Sequence, residues 1–119
     1  MSYVDGFVLA VPKDRLDAYK EMARTAGAVW REHGALSVVE TVADDVPYGE
    51  LTSFPRAVIA KPEETVVFSW ITYGSRQHRD EVNAKVMADP RIQAQMSAHA
   101  TLFDGKRMIF GGFETMVQL

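Results

Sequence analysis

Two acidic residues interrupt segments that otherwise have the apolar pattern of β-strands, and both are candidates for acid–base chemistry. Asp5 lies in the first such segment and Glu40 in the second. A carboxylate that is buried on a sheet without a cationic partner has a raised pKa, which suits it to proton transfer. Arg107, beside Lys106 near the last apolar segment, is the third candidate. A network of these groups would act on a small polar substrate; alternatively, ion pairs between them would only fix the register of a dimer.

Aromatic residues recur at strand and helix spacings, and they are the candidates for contacts with a substrate. They could line an apolar pocket between a sheet and helices, although aromatic residues at such spacings also form ordinary cores. One of them lies in a turn-rich segment, residues 45–54, which is a candidate lid or dimer-contact arm. The set consists of Trp30, Tyr48, Phe68, Trp70 and Phe110, with Phe113 beside them.

The three histidines and the absence of cysteine limit the available chemistry. His33, His78 and His99 do not have the spacing of a metal-binding motif. His33 falls at the end of a predicted helix, where a protonated imidazole interacts favourably with the helix dipole, and we expect capping or surface roles for the other two. Without cysteine there are no disulfides, thiolate nucleophiles or cysteine-bound metal centres. We therefore predict no metal site and no resident cofactor.

The composition is that of a single globular domain, residues 1–119. The chain has a mass of 13.3 kDa. It is 47% hydrophobic and 24% charged, which allows one ordinary core. Its 13 basic and 16 acidic residues give a net charge of −3, which argues against binding to nucleic acid or anionic membranes. No apolar run approaches the length of a membrane span, and the first residues lack the pattern of a secretory signal, so we expect a cytoplasmic protein.

The elements that must position these residues follow one another in the order β-α-β-β-α-β. Runs of β-branched and aromatic residues indicate the strands, and apolar residues at spacings of three and four indicate the first helix, with Gly34 placed to end it. This order predicts the α+β, ferredoxin-like fold, a four-stranded antiparallel sheet with two main helices on one face. The predicted strands are Tyr3–Val11, Leu36–Ala43, Glu64–Tyr73 and Lys106–Thr115, with a short extra strand at Ala57–Ala60; the predicted helices are Lys13–His33, one that Ser75 caps and that ends near Ala88, and a short one that begins at Asp89 and Pro90.

Several predicted strands are apolar on both faces, although two helices can cover only one face of a four-stranded sheet. In the third strand Val66, Phe68 and Trp70 point one way, while Val67 and Ile71 point the other. A large apolar face on a globular protein requires a partner. We therefore predict a homodimer in which two sheets pack face to face.

Five stretches of the chain resemble the YbaA-like family of small bacterial proteins, which has no assigned function. Together they span both ends and the middle of the chain. The last stretch is the most specific, because twelve consecutive residues of mixed chemistry match. The stretches are YVDGFVLAVP at 3–12, DVPYG at 45–49, VVFSWI at 66–71, MADPR at 87–91 and FDGKRMIFGGFE at 103–114.

This resemblance implies membership of the dimeric α/β-barrel superfamily, in which two ferredoxin-like sheets pack into a barrel. The superfamily includes cofactor-independent monooxygenases, haem-degrading enzymes, lactone isomerases and ligand-sensing domains. By that analogy a histidine could ligate a borrowed haem, but the resemblance assigns no catalytic residue to this chain.

Two functions of different class are compatible with these observations. The first is an enzyme or ligand-binding protein with a pocket near Asp5, Trp70 and Arg107, which would use cofactor-free oxygenase-like or isomerase-like chemistry on a small aromatic or polar molecule. The second is a non-catalytic dimeric module that acts in assembly or in binding another protein. An enclosed pocket around a buried acid would favour the first, whereas a fully packed interior would favour the second.

Overall fold

A four-stranded antiparallel sheet forms the centre of the protein, seen here in a computed structural model that describes residues 2–98 and 101–119. The strands lie in the order β2-β3-β1-β4, so the two segments richest in β-branched and aromatic residues, β1 and β3, occupy the centre. This is the predicted ferredoxin-like arrangement, and the prediction is confirmed. The bounds are Tyr3–Pro12 for β1, Ser37–Val42 for β2, Glu64–Tyr73 for β3 and Ile109–Glu114 for β4.

The helices begin and end close to the predicted positions. The Ser75 side chain caps the third helix by accepting a hydrogen bond from the backbone N–H of His78 at 3.0 Å. Gly34 follows the first helix with a φ of +117°, a conformation that favours glycine. Within residues 2–98 and 101–119, no helix is long and apolar enough to cross a membrane. The bounds are Leu16–Glu32 for α1, which a 3₁₀ turn at Lys13–Arg15 precedes, Phe54–Ala57 for α2, Arg76–Met87 for α3 and Pro90–Ala98 for α4.

The prediction of a short strand at Ala57–Ala60 is wrong. Residues Phe54–Ala57 form α2 instead, because Ser53 accepts a hydrogen bond from the backbone N–H of Arg56 at 3.2 Å and Pro55 stands in the first turn, where its missing N–H costs nothing. The backbone N–H of Ala60 then bonds back to the carbonyl of Pro55 rather than to a strand.

The helices cover one face of the sheet, and the main core lies between them and this covered face. Alternate residues of β1 and β3 point towards the helices, as their register requires. Tyr73 and Val11 are completely buried there. The other buried members of this core are Tyr3, Leu9, Val67 and Ile71 from the sheet, Tyr19, Ala23 and Val29 from α1, Ala35 after α1, Val82 and Val86 from α3, and Ile92 from α4.

The opposite face, the open face, is largely uncovered. Val58, which follows α2, covers only one end of it, where Val8, Ala10 and Val66 are buried with it. Phe113 on β4 remains 65% exposed. The open face presents the side chains of Val4, Phe68, Trp70, Thr72, Ile109 and Phe113, which line a concavity of about 740 Å³.

Gly112 is a position where the fold needs glycine, and this gives a first test of the strand register. A Cβ there would come 2.8 Å from Cε2 of Tyr3, closer than real Cβ contacts allow. Gly112→Ala is therefore expected to lower the free energy of unfolding by about 1–3 kcal/mol, as overpacking does. Chemical denaturation measures the change.

A double-mutant cycle separates the clash from a general effect of alanine in the strand. In a Tyr3→Leu background the ring is absent, so Gly112→Ala should cost much less. Equal costs in both backgrounds would contradict the register of β1 against β4.

Candidate functional site

Glu40 forms the centre of the candidate site because strand alternation directs it towards the helices. It lies on the covered face of β2, where Oε1 accepts a hydrogen bond of 2.7 Å from the hydroxyl of Tyr19 on α1. The ring of Phe103 packs edge-on against Tyr19 at 5.9 Å between centroids and fixes its orientation. Ser69 stands directly opposite Glu40 on β3 and is buried. A carboxylate and two hydroxyls therefore converge between α1 and the sheet.

An inner cavity of about 200 Å³ adjoins these three polar groups. An apolar protein cavity of about 150 Å³ accommodates benzene, so this space fits one substituted ring. It is smaller than the roughly 300–1,000 Å³ of sites for drug-sized ligands. Tyr19, Glu40 and Ser69 share its lining with Phe7, Leu9, Met22, Ala23, Ala26, Gly27, Trp30, Val38, Ile71, Phe103 and Met108.

The pKa of Glu40 is higher in the folded protein than it would be in water. Glu40 is exposed as a whole residue, but partial burial of its carboxyl group raises the pKa. The hydrogen bond from Tyr19 and the neighbouring Ser69 hydroxyl oppose this effect without cancelling it. Burial, together with the adjacent carboxylate, raises the pKa of Tyr19 above its usual value. Tyr19 therefore stays protonated and donates to Glu40, while Glu40 has a pKa nearer to neutrality than an ordinary glutamate. This is the property of a general base or acid.

Asp5, the first acidic candidate, has a different partner from those expected. It is 6% exposed, and its Oδ1 accepts a hydrogen bond of 2.6 Å from Nη1 of Arg79 on α3. The Arg79 guanidinium also lies over the ring of Tyr3, 5.0 Å from its centroid. Lys106 and Arg107 were the expected cations. The structure instead uses Asp5 to join β1 to α3.

Arg107 lies in a separate ion-pair cluster. Its two terminal nitrogens each donate a hydrogen bond of 2.8 Å to the carboxylate of Glu64, and its Nε donates to Asp104 at 3.2 Å. These bonds from Arg107 lower the pKa of Glu64 to about 2. The Lys106 backbone N–H bonds to Asp104 as well. The cluster ties the turn before β4 to the start of β3, so the structure does not bring Arg107 to Asp5 or to Glu40.

The aromatic candidates do not converge on one pocket, because they divide between the two faces. Trp30 lines the inner cavity, and its Nε1 donates to Asn83 at 3.2 Å. Phe68 and Trp70 lie on the open face with ring centroids 5.4 Å apart. Phe110 borders the same open concavity and is 72% exposed. Tyr48 lies apart in the turn-rich segment, beneath the guanidinium of Arg56 at 3.8 Å.

His33 and His78 form hydrogen bonds with structural roles. His33 Nε2 and Asp89 Oδ2 are 2.8 Å apart, which joins the end of α1 to the start of α4. His78 Nδ1 accepts a hydrogen bond of 2.9 Å from the backbone N–H of Gly74. His99 lies outside the described residues. Among those that are described, no group of three or more histidine, aspartate or glutamate side chains is placed to hold a metal ion.

Tyr19 and Ser69 are the two site residues that sequence reasoning missed. Tyr19 belongs to the apolar stripe of α1 and Ser69 to a strand, so the sequence pattern singles out neither as a functional residue. A detectable feature was present, since Ser69 is a small hydroxyl residue between Val67 and Ile71, which are apolar residues on the same side of the strand. Its pairing with Glu40 depended on the register between β2 and β3, which local patterns do not determine.

Comparison with known proteins identifies relatives in sequence and in structure. The chain matches the model of the family described as "Protein of unknown function (DUF1428)" over residues 2–105. The "Uncharacterized protein YbaA" of Escherichia coli (strain K12) is 53% identical over 117 residues, which cover 98% of each chain. These findings confirm the resemblance that the sequence motifs indicated.

Solved structures with the same fold are much more distant in sequence. A "Putative antibiotic biosynthesis monooxygenase from Nitrosomonas europaea" is 14% identical, with a TM-score of 0.62 over 97% of this chain and 90% of that chain. SnoaB, "a cofactor-independent oxygenase from Streptomyces nogalater", is also 14% identical, with a TM-score of 0.62 over 99% of this chain and 96% of that chain. These similarities show the fold, and the family match together with the relative at 53% identity shows that this chain belongs to the DUF1428 family of proteins of unknown function.

Proposed function

We propose that this protein is a homodimeric, cofactor-free enzyme that removes a proton from a small aromatic molecule bound in the inner cavity, with Glu40 as the base. The observation that carries this proposal is a carboxyl group of raised pKa at the wall of an apolar cavity, held by the Tyr19 hydroxyl rather than by a cation. Apolar cavities with a few convergent polar groups and a perturbed pKa are the usual form of small-molecule sites.

The contrast with the other two acids supports the choice of Glu40. Asp5 bonds to Arg79 through Oδ1, and both carboxylate oxygens of Glu64 bond to Arg107, which lowers the pKa of Glu64 to about 2. Glu40 bonds to Tyr19 at one oxygen and borders a space in which a ligand fits. The first two acids therefore have structural roles, while Glu40 is placed to exchange a proton.

The chemistry available to such a base is proton transfer at carbon. When a C–H bond lies next to a carbonyl group, Glu40 takes the proton and the electron pair delocalises onto the carbonyl oxygen. Return of the proton to a different atom completes an isomerisation. Reaction of the same carbanion with dioxygen would be oxygenase-like chemistry, and the fold similarity to SnoaB, a cofactor-independent oxygenase, is consistent with that route by analogy.

The exposed apolar side chains of the open face support the proposal that the protein is a homodimer. It exposes large aromatic side chains that a solitary sheet would leave in water, and its concavity has an almost entirely apolar lining. A second copy of the same face is the simplest cover, since an isologous contact of two identical surfaces closes the assembly.

A second candidate function is a non-catalytic dimeric module, and the open face is the observation that favours it. Such a module would use this surface for assembly and would leave the inner cavity without a ligand. The enzyme requires Glu40 as its base, whereas the non-catalytic module does not require Glu40.

The first prediction concerns catalysis by Glu40. Phenylpyruvate has one ring and an acidic C–H bond beside its carbonyl group, so the protein should accelerate its keto–enol tautomerisation. Glu40→Gln should lower this rate by about 100-fold, the usual contribution of a general base. Ultraviolet absorbance of the enol measures the rate. Glu63→Gln, an exposed acid outside the cavity, is the matched control. The proposal fails if Glu40→Gln and the control have the same rate.

The second prediction concerns the role of Tyr19 in setting the strength of the base. Hydrogen bonding from Tyr19 stabilises the Glu40 carboxylate, so Tyr19→Phe should raise the Glu40 pKa further. Because a general base acts only when it is ionised, the acidic limb of the activity profile should move to higher pH. Carbon NMR titration of the glutamate carboxyl groups measures the shift, and the Glu40→Gln spectrum identifies the resonance. An unchanged or lowered pKa would show that the hydroxyl does not stabilise this carboxylate.

The third prediction concerns assembly. Sedimentation equilibrium at micromolar concentration should give twice the chain mass of 13.3 kDa. Phe113→Glu places a charge on the open face and should shift the protein towards monomer, whereas Met87→Glu on α3, also half exposed, should not. A wild-type mass of one chain would refute the dimer.

A further inference from the structure

We propose that the ligand of the inner cavity carries a carboxylate, and that cationic side chains on the outer surface of α1 hold this group. This inference rests on the proposed function, because it describes how a molecule with its ring in the inner cavity would be recognised from outside. It names the class of substrate, a single ring joined to an acidic group by a short chain.

A second space, the outer groove, lies beside the contact between α1 and β2. Its volume is about 500 Å³. It shares a row of lining residues with the inner cavity, and this row, which includes Tyr19 and Glu40, is therefore the boundary between the two. The residues that line the outer groove but not the inner cavity are Lys20, Arg24, Ala28 and Arg31.

Two small residues, Ala23 and Gly27, stand beside Tyr19 on the helix side of this boundary. A Cβ at Gly27 would come 3.1 Å from Cγ1 of Val38, so the glycine lets α1 approach β2 closely. Ala23 lies one turn before Gly27 and one turn after Tyr19, and its small side chain lines both spaces. Glu40 also belongs to this boundary and thus adjoins both spaces. A short chain past Ala23 would place a ligand's ring inside and its acidic group outside.

The charge of the outer groove is opposite to that of the whole protein. The chain has a net charge of −3. In the lining of the outer groove, by contrast, Lys20, Arg24 and Arg31 face a single acid, Glu40, among the described residues. A concave surface of one charge attracts ligands of the other and raises their local concentration. The groove therefore selects anions, although the protein as a whole repels them.

The local partners of these cations leave them able to bind a ligand. Arg24 pairs with Glu21 at 3.7 Å, but both side chains are about three-quarters exposed, so this pair is weak. Arg31 donates from Nη1 to the backbone carbonyls of Ala35 and Leu36, which anchors its side chain at the start of β2. A guanidinium has five N–H donors, so an anchored Arg31 retains donors for a carboxylate.

Binding of two unreactive probes tests the inference on the intact protein. Hydrocinnamate has a ring, a short chain and a carboxylate, while hydrocinnamyl alcohol has the same skeleton without the charge. We expect the wild-type protein to bind the acid about tenfold more tightly than the alcohol, which three modest charge contacts would supply. The preference should decrease as salt is added. Isothermal titration calorimetry measures both constants.

Variants show which side chains produce the preference for the acid over the alcohol. Lys20→Gln with Arg24→Gln should remove most of it by weakening the acid and leaving the alcohol unchanged. Arg76→Gln is the matched control, because Arg76 is equally exposed and pairs with Asp80 on α3, away from the groove. Equal binding of acid and alcohol by the wild-type protein, or a preference that survives the double variant, overturns the inference and leaves the proposed function standing. Failure of both probes to bind overturns both.

Discussion

The sheet has two apolar faces, while the long helices cover only one, and most other features of the protein follow from this imbalance. Burial of the covered face against α1 and α3 supplies the main core, with Tyr73 and Val11 completely enclosed. The open face keeps aromatic side chains such as Phe113 exposed. Each face therefore has a different physical requirement. The covered face must accommodate helices without leaving buried charges unpaired, whereas the open face leaves apolar side chains in contact with water, as interaction surfaces do.

Three acids of the sheet are compensated in different ways, and the differences separate structure from chemistry. Asp5 is neutralised by Arg79, and Glu64 is neutralised by Arg107. Both pairs join distant parts of the chain, and removal of one partner would leave a charge poorly compensated. Glu40 has the hydroxyl of Tyr19 in place of a guanidinium, and a cavity in place of packed side chains. The space around Glu40 is incompletely packed, and its carboxyl group bonds to a hydroxyl. In both respects this site differs from an ordinary protein core.

Much of the fold was predictable because its signals are local. Alternating and β-branched residues located β1 and β3, while Ser75 marked a helix start through its side-chain oxygen and Gly34 marked a helix end through its backbone conformation. The strand predicted at Ala57–Ala60 failed because Val58 and Ile59 have strand propensity, whereas Ser53 and Pro55 stabilise a helical turn just before them. Here the cap outweighed the propensity of two residues.

The candidate site was less predictable, because its geometry depends on contacts between segments distant in sequence. Alternation placed Val66, Phe68 and Trp70 on one side of β3, but which side the helices would cover was not a local property. The partner of Asp5 lies 74 residues away on α3. Glu40 was identified from its strand, while its interaction with Tyr19 required the approach of α1 to β2 that Gly27 permits.

The central claim is that the covered face holds a ligand and the open face holds the second copy. NMR chemical-shift mapping of the wild-type protein with phenylpyruvate tests this division most directly. The account predicts shifts at Tyr19, Glu40 and Ser69, with no change at Trp70 or Phe113 on the open face. Shifts confined to the open face, with the residues around Glu40 unperturbed, would contradict it.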